Sequence, residues 1–321
     1  MFKIGKKTNF FSLFKKQAIA LFAIFFCFFL LPNKLFAQQS FSYTQYMINP
    51  LPFNSAFSLI DNDSRADLMV RKQWAGVSGA PTTQFVDGYL PIEKSNGAAG
   101  LIFENDQIGV ESLTQLNGFY GQTVQLGKQH FLAMSLNLGL RNYAANYSSL
   151  YSTADPLLTQ DLKQTKPNIG FGLLYFSEDF YIGVSAPQFT LKFSGNSSLP
   201  NNNFRNDYFL SAGITDNLLN GLKLKFATLV TYTSGVGSTI DVSSMFYYRE
   251  LFGFGANYAS NNEAAFIVST KFKSFSFGYS YQFGLNAENN IGGPTNATQE
   301  LTISYGLGHK RFYVKKSNKV F

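Results

Sequence analysis

Beyond residue 64, apolar and small polar residues alternate one for one over much of the chain. From Phe275 to Phe283 the chain reads Phe-Ser-Phe-Gly-Tyr-Ser-Tyr-Gln-Phe, an aromatic residue at every second position. Met134, Leu136, Leu138 and Leu140 alternate in the same way with Ser135, Asn137, Gly139 and Arg141, and Ile169–Tyr175 repeats the pattern. Successive side chains of a strand point to opposite faces, so each segment presents one apolar face and one small polar face. A soluble sandwich alternates too, but its core face favours packed aliphatic residues and its outer face carries charge. Here the polar face is mostly Gly, Ser, Asn and Gln, which suits a wall between lipid and a wet or plugged lumen. The pattern predicts an all-β fold, an antiparallel transmembrane β-barrel of the outer-membrane type.

Alternation bounded by turn signals predicts about 14 strands. They are Ala66–Trp74, Thr82–Leu90, Ala98–Phe103, Leu113–Leu126, Leu132–Tyr143, Ile169–Phe176, Phe180–Ala186, Tyr208–Ile214, Leu222–Tyr232, Thr239–Tyr248, Leu251–Tyr258, Ala264–Phe272, Phe275–Phe283 and Glu300–Leu307. Connections from even to odd strands are brief, as at Ser177–Asp179, Arg249-Glu250 and Lys273-Ser274. The long ones, Ala144–Pro167, Pro187–Asp207 and Gly284–Gln299, all run from odd to even strands. Outer-membrane barrels keep short turns in the periplasm and long loops outside, so this asymmetry places both ends of the mature chain in the periplasm.

The leader changes the charge picture. Lys3, Lys6, Lys7, Lys15 and Lys16 form a basic start, and Ala18–Leu31 is an apolar stretch too short to span a bilayer as a helix. Residues 1–37 read as a cleaved signal peptide, with Ala37 at the last position before Gln38-Gln39. Residues 38–64 form a polar, aromatic, turn-rich segment, either periplasmic or folded into the lumen as a plug. Residues 65–308 make the barrel, and 309–321 a basic periplasmic tail carrying Lys310, Arg311, Lys315, Lys316 and Lys319. The formal net charge of +7 therefore sits largely in leader and tail, and nothing in it calls for nucleic acid. Charged residues make up only 14% of the chain, too few for an ordinary soluble surface of this size. The one cysteine, Cys27, lies in the leader, so the mature chain forms no disulfide.

Signals for enzyme chemistry are poor, and the chain reads as a non-enzyme without a cofactor. Gly183-Val184-Ser185-Ala186-Pro187 begins like a nucleophile elbow, but proline replaces the second glycine and no strand-to-helix turn is predicted there. His130 and His309 are the only histidines, which leaves a transition-metal site almost without ligands. Asp61-Asn62-Asp63-Ser64-Arg65-Ala66-Asp67 clusters carboxylates, yet Arg65 and Ala66 stand where a calcium loop needs an oxygen ligand and a glycine. A capped turn into the first strand accounts for it. Lys223 and Lys225 alternate with Leu222, Leu224 and Phe226, and Arg141 follows Ser135 and Asn137, so all three cations are candidate lumen-facing charges. They are either a basic lumen that attracts anions or the few charges any polar lumen carries.

Gln45-Tyr46-Met47-Ile48-Asn49-Pro50-Leu51, Arg71-Lys72-Gln73-Trp74-Ala75-Gly76-Val77 and Gly79-Ala80-Pro81-Thr82-Thr83-Gln84 resemble the PorP/SprF family of type IX secretion membrane proteins. The resemblance continues through Leu138–Tyr143, Asp155-Pro156, Pro167–Gly172, Tyr181–Pro187 and Gly278–Tyr281, and so covers essentially the whole mature chain. It implies a cell outer-membrane barrel of Bacteroidota-type bacteria whose partners are the lipid bilayer, the type IX machinery and a secreted surface protein such as a gliding adhesin. It carries no catalytic residues. Gln45, Tyr46, Asn49, Pro50, Trp74 and Pro81 become candidates for partner contact or for the plug. A porin or a channel for hydrophobic substrates is the alternative, since barrels of this size commonly carry solutes. One departure is local: family chains continue with an Asn-Pro-Ala-like run where this one has Asn54-Ser55-Ala56-Phe57.

Overall fold

The computed structural model describes residues 43–61, 63–150, 161–191, 204–219, 221–285 and 292–306. Fourteen antiparallel strands close into a barrel, each paired with its neighbour in sequence. They are β1 (Arg65–Lys72), β2 (Thr82–Ile92), β3 (Gly97–Ile108), β4 (Glu111–Gln125), β5 (Phe131–Ala145), β6 (Leu162–Phe176) and β7 (Phe180–Thr190). The second half comprises β8 (Asp207–Leu219), β9 (Leu222–Thr233), β10 (Gly237–Tyr248), β11 (Phe252–Ala259), β12 (Glu263–Phe272), β13 (Phe275–Gly284) and β14 (Thr298–Gly306). β14 returns to β1 over eight residue pairs, from Arg65↔Gly306 to Lys72↔Gln299.

The strand count and order match the alternation, and most boundaries agree within a few residues. The differences lie in the predicted loops around prolines. β6 begins at Leu162 and carries Pro167 within it, and β7 continues through Pro187 to Thr190. Proline normally ends pairing because it has no N–H to give. Here the ladder shifts register between Ile169 and Phe171, leaving Pro187 and Gln188 opposite Gly170, so the bulge absorbs the proline. A side chain at Gly170 would collide with the Pro187 carbonyl. β3 and β8 also run beyond their predicted ends, to Ile108 and Leu219. β1 stops before Trp74, where a left-handed φ of 47° turns the chain.

Outward positions are apolar: Leu136, Leu138, Leu140, Phe171, Phe254, Phe266 and Phe277 are exposed. Inward positions are buried, both small or polar ones such as Ser135, Asn137, Arg141, Thr231, Ser243, Ser280 and Thr302 and apolar ones such as Met69, Phe85, Leu229, Met245 and Ile267. What buries them is the N-terminal segment, which lies inside the barrel. Tyr43, Pro52 and Phe53 line a cavity at the long-loop end, Met47 and Ile48 one at the short-turn end, and Arg65 opens β1 at the short-turn end, so the segment doubles back within the lumen before the first strand. The two ends of the mature chain, expected in the periplasm, fall at residues 38–42 and 307–321, outside the described residues. The basic tail and the leader lie outside the described residues.

Leu136→Arg, half-exposed at mid-strand, should cut the heat-modifiable folded fraction sharply, because arginine facing lipid near the midplane costs about 2–4 kcal/mol. Ser276→Arg, on the inner face beside the short-turn cavity, should cost far less. Equal folded fractions on gel electrophoresis would reverse the facing.

Candidate functional site

The segment inside the barrel has little regular structure, so its backbone must find partners elsewhere. Local turns satisfy part of it. Ile48 N and Asn49 N donate to Gln45 O, and Phe53 N and Asn54 N donate to Pro50 O. A 3-10 turn follows at Ser55–Leu59, capped by Asn54, whose side-chain oxygen accepts from Ala56 N at 3.0 Å. Asn49 caps its own turn in the same manner, accepting from Leu51 N at 3.2 Å.

The barrel wall supplies the rest. The Glu300 carboxylate on β14 accepts from Thr44 N and Gln45 N, both at 3.1 Å, from Arg71 Nε at 3.1 Å and from Ser280 Oγ at 3.2 Å. Gln45 Nε2 donates to Glu300 O at 2.9 Å. Tyr46 Oη donates to Ala227 O at 2.8 Å, and burial pushes its hydroxyl well above the ordinary phenol range, which keeps it a neutral donor. Lower in the lumen, Asn49 Nδ2 donates to Asp87 at 2.7 Å and Lys225 Nζ to Met47 O at 3.1 Å. Asn54 Nδ2 donates to Leu173 O at 3.1 Å and Ser185 Oγ to Phe53 O at 2.7 Å. Ser55 Oγ lies 2.8 Å from Ser135 Oγ and 2.5 Å from Asn137 Oδ1. Ser185 is thus a plug anchor in the middle of a continuous strand.

Apolar packing complements these bonds. Tyr43, Tyr46 and Phe53 of the plug meet Phe85 and Phe209 of the wall, with ring centroids 4.8 Å apart for Tyr43–Phe85 and 5.4 Å for Phe53–Phe209. Ala56, Phe57 and Leu59 pack against Ala98, Phe131, Ala133, Leu174 and Tyr181. Two inward glycines make room: a side chain at Gly172 would collide with Asn54 Oδ1, and one at Gly278 with Gln45 Oε1.

The candidate residues fall into four places rather than one. Gln45, Tyr46 and Asn49 are buried in the lumen, with Pro50 beside them. Trp74 and Pro81 lie on the long-loop rim in the 73–81 connection, where Gln73 N donates to Pro81 O at 2.9 Å. That connection is tied to the β13–β14 loop by Ala75 N to Ala297 O at 3.1 Å and Asn296 Nδ2 to Ala75 O at 3.2 Å. Arg141 is buried beside a cavity of about 330 Å³ at the long-loop end. Lys223 and Lys225 line a cavity of about 310 Å³ at the short-turn end, where Lys223 pairs with Glu250 at 2.8 Å. Periodicity alone did not single out Glu300, Arg71, Asp87 or Asn137. Their signal is a charged or amide side chain at the inward parity of a strand, as in Thr298-Gln-Glu-Leu-Thr-Ile-Ser304.

The family described as Type IX secretion system membrane protein PorP/SprF matches residues 35–305. No curated protein matches the chain. Solved structures similar in fold include the CymD monoaromatic hydrocarbon channel, at 13% identity and TM-score 0.48, covering 88% of this chain and 96% of that one. The P. putida toluene transporter TodX is similar at 12% identity and TM-score 0.44, with coverage of 81% and 93%. BamA from Haemophilus ducreyi lacking POTRA domains 1-3 is similar at 9% identity and TM-score 0.41, with coverage of 77% and 70%.

Glu300→Ala should lower barrel stability by about 3–5 kcal/mol, because it leaves the Arg71 guanidinium buried without its carboxylate. Tyr46→Phe should cost only about 1 kcal/mol, the net value of one hydrogen bond. Thermal unfolding in detergent measures both, and similar losses would show that Glu300 does not organise the plug.

Proposed function

Because the chain belongs to the PorP/SprF family of type IX secretion system membrane proteins, we propose that this outer-membrane barrel supports the secretion or surface attachment of one partner protein, an adhesin-like cargo. Its role in this reading is non-enzymatic. The observation that carries it is the filled lumen: residues 43–60 occupy the middle of the barrel, with buried side chains from Tyr43 to Leu59 and hydrogen bonds to strands on opposite sides. A solute pore needs a continuous wet path, and a hydrocarbon channel an apolar one. This lumen is filled by the plug: its polar groups bond to the plug, and its apolar residues, Met69, Phe85, Leu229, Met245 and Ile267, pack against Tyr43, Tyr46, Met47 and Phe53. A protein that holds or guides another works through its rims and needs no open bore.

In this reading residues 1–37 are the cleaved export signal, and the long loops face the cell exterior. The type IX machinery and the cargo meet the barrel at its two ends.

A strain lacking the chain should lose one large surface protein from an inventory of its exterior, while the purified barrel shows little conductance in a planar bilayer. An unchanged inventory, together with steady pore currents and solute uptake, would replace this function with transport. An epitope inserted in the β7–β8 connection should be reached by antibody on intact cells. Labelling only after permeabilisation would invert the orientation.

A further inference from the structure

At the short-turn end, the outward face between β10 and β14 finishes in a band of aromatic rings. Tyr248, Phe252, Phe272, Phe275 and Tyr305 are all exposed there, with Tyr248 opposite Phe252 and Phe275 opposite both Phe272 and Tyr305 in the ladders. Such a girdle marks the level where lipid tails give way to headgroups. Two cations are seated on it. The Arg249 guanidinium lies 5.4 Å from the centre of the Tyr248 ring, and the Lys273 ammonium 5.4 Å from that of Phe272. Lys273 also borders the short-turn cavity, but the ring its ammonium covers faces outward. Both cations belong to exposed residues, and neither has a carboxylate partner among the described residues, the neighbouring Glu250 being paired with Lys223 at 2.8 Å.

The turns that carry these cations are held in place. Arg249 and Lys273 stand at left-handed φ of 50° and 54°, a conformation that ordinarily falls to asparagine or glycine. Arg249 N donates to Gly221 O at 2.5 Å, Lys271 N to Leu251 O at 2.8 Å and Gly306 N to Ser274 O at 2.8 Å, so each turn is tied to its neighbours. Gly221 leaves room for the arginine stem, because a side chain there would press on Arg249 Cγ at 3.1 Å. β10 and β12, which lead into the two turns, lie two strand spacings, about 10 Å, apart. Rings and cations together select the ligand. Hydrocarbon alone would cover the rings and leave both charges without a counter-ion. An acidic peptide would answer the charges but not the apolar face that continues below them through Phe254 and Tyr279. A phospholipid brings a phosphate for the cations and acyl chains for the rings in one molecule. We propose that the Arg249 and Lys273 turns form a binding site for the headgroup of an anionic phospholipid in the leaflet at the short-turn end.

The test uses the full chain in mild detergent with equimolar phosphatidylglycerol and phosphatidylcholine, and native mass spectrometry counts the lipids retained. The barrel should keep phosphatidylglycerol over phosphatidylcholine by about fivefold or more, the preference that cations at headgroup level confer. Arg249→Asn combined with Lys273→Asn removes both charges while suiting the left-handed turns, and should bring the two lipids level. Arg249→Lys keeps the charge and should keep most of the preference. Lys128→Asn, at an exposed cation in the β4–β5 turn of the same end, should leave it unchanged. An unchanged melting temperature verifies that the double variant retains its barrel. Equal retention of both lipids by the unaltered chain, a preference that survives the double change, or an equal loss from Lys128→Asn would each overturn the site. Displacement of phosphatidylglycerol by hexaglutamate would overturn it in favour of an acidic peptide.

Discussion

Arg71 on β1 and Glu300 on β14 are cross-strand partners in the ladder that closes the barrel, and both point inward. Their side chains meet at 3.1 Å, and the same carboxylate accepts two amides near the start of the described plug, Thr44 N and Gln45 N. Two constraints therefore converge on one group. A closing seam slipped by a single residue would turn one of the two charges outward into lipid and leave the other buried without its partner, so the pair fixes the register of closure. A buried carboxylate, in turn, is tolerable only when several donors surround it, and two of those donors belong to the plug. Asp67 and Ser304 form a second inward pair on the same ladder, hydrogen-bonded side chain to side chain, and Arg65 extends from Asp67 to the Ile48 carbonyl. Closure of the barrel and seating of the plug are thus a single event at this seam.

The same logic explains the composition of the inner wall. A chain segment without helix or sheet presents donors and acceptors in every direction, and only short, varied polar side chains can meet them all. Ser135, Asn137, Ser185 and Asp87 do this from four positions around the bore. Where the plug comes closest the wall has no side chain at all, at Gly172 and Gly278. The Asn54-Ser55-Ala56 run, which departs from the family's proline turn, is accounted for here: Asn54 caps the 3-10 turn and Ser55 reaches the wall at Ser135 and Asn137. A proline at 55 would preset the turn but give up the hydroxyl that ties it down.

Much of this was legible in the sequence. Period-two alternation identifies strands and their facing wherever one side sees lipid, which is why Phe275–Phe283 and Met134–Arg141 read correctly from the pattern alone. Strand ends were less legible near Pro187, because the bulge that accommodates it depends on its register against Gly170 of the neighbouring strand, and near Pro167, which keeps its place in the ladder opposite Leu140. The plug was harder still. Residues 43–61 have no period, and beyond their local turns their partners lie on distant strands, as Ala227 does for Tyr46 and Glu300 for Gln45. Inward charges such as Arg141 and Lys225 could be placed by parity, but not assigned to opposite ends of the lumen, since parity carries no information about height.

Filling the lumen also separates the two aromatic residues that the sequence placed together as contact candidates. Tyr46 is 3% exposed and bonded to the far wall, so replacing it acts first on how tightly the plug is seated. Trp74 is half-exposed on the rim, in a connection stitched to the loop that precedes β14 through Ala75, Asn296 and Ala297. Arg71, three residues before Trp74, links the closing seam to this connection by donating its Nη1 to Gln73 Oε1 at 3.2 Å. Stability and partner display should consequently fall together when Tyr46 is altered and separate when Trp74 is, because Tyr46 is buried and bonded inside the lumen whereas Trp74 stands on the rim outside that packing.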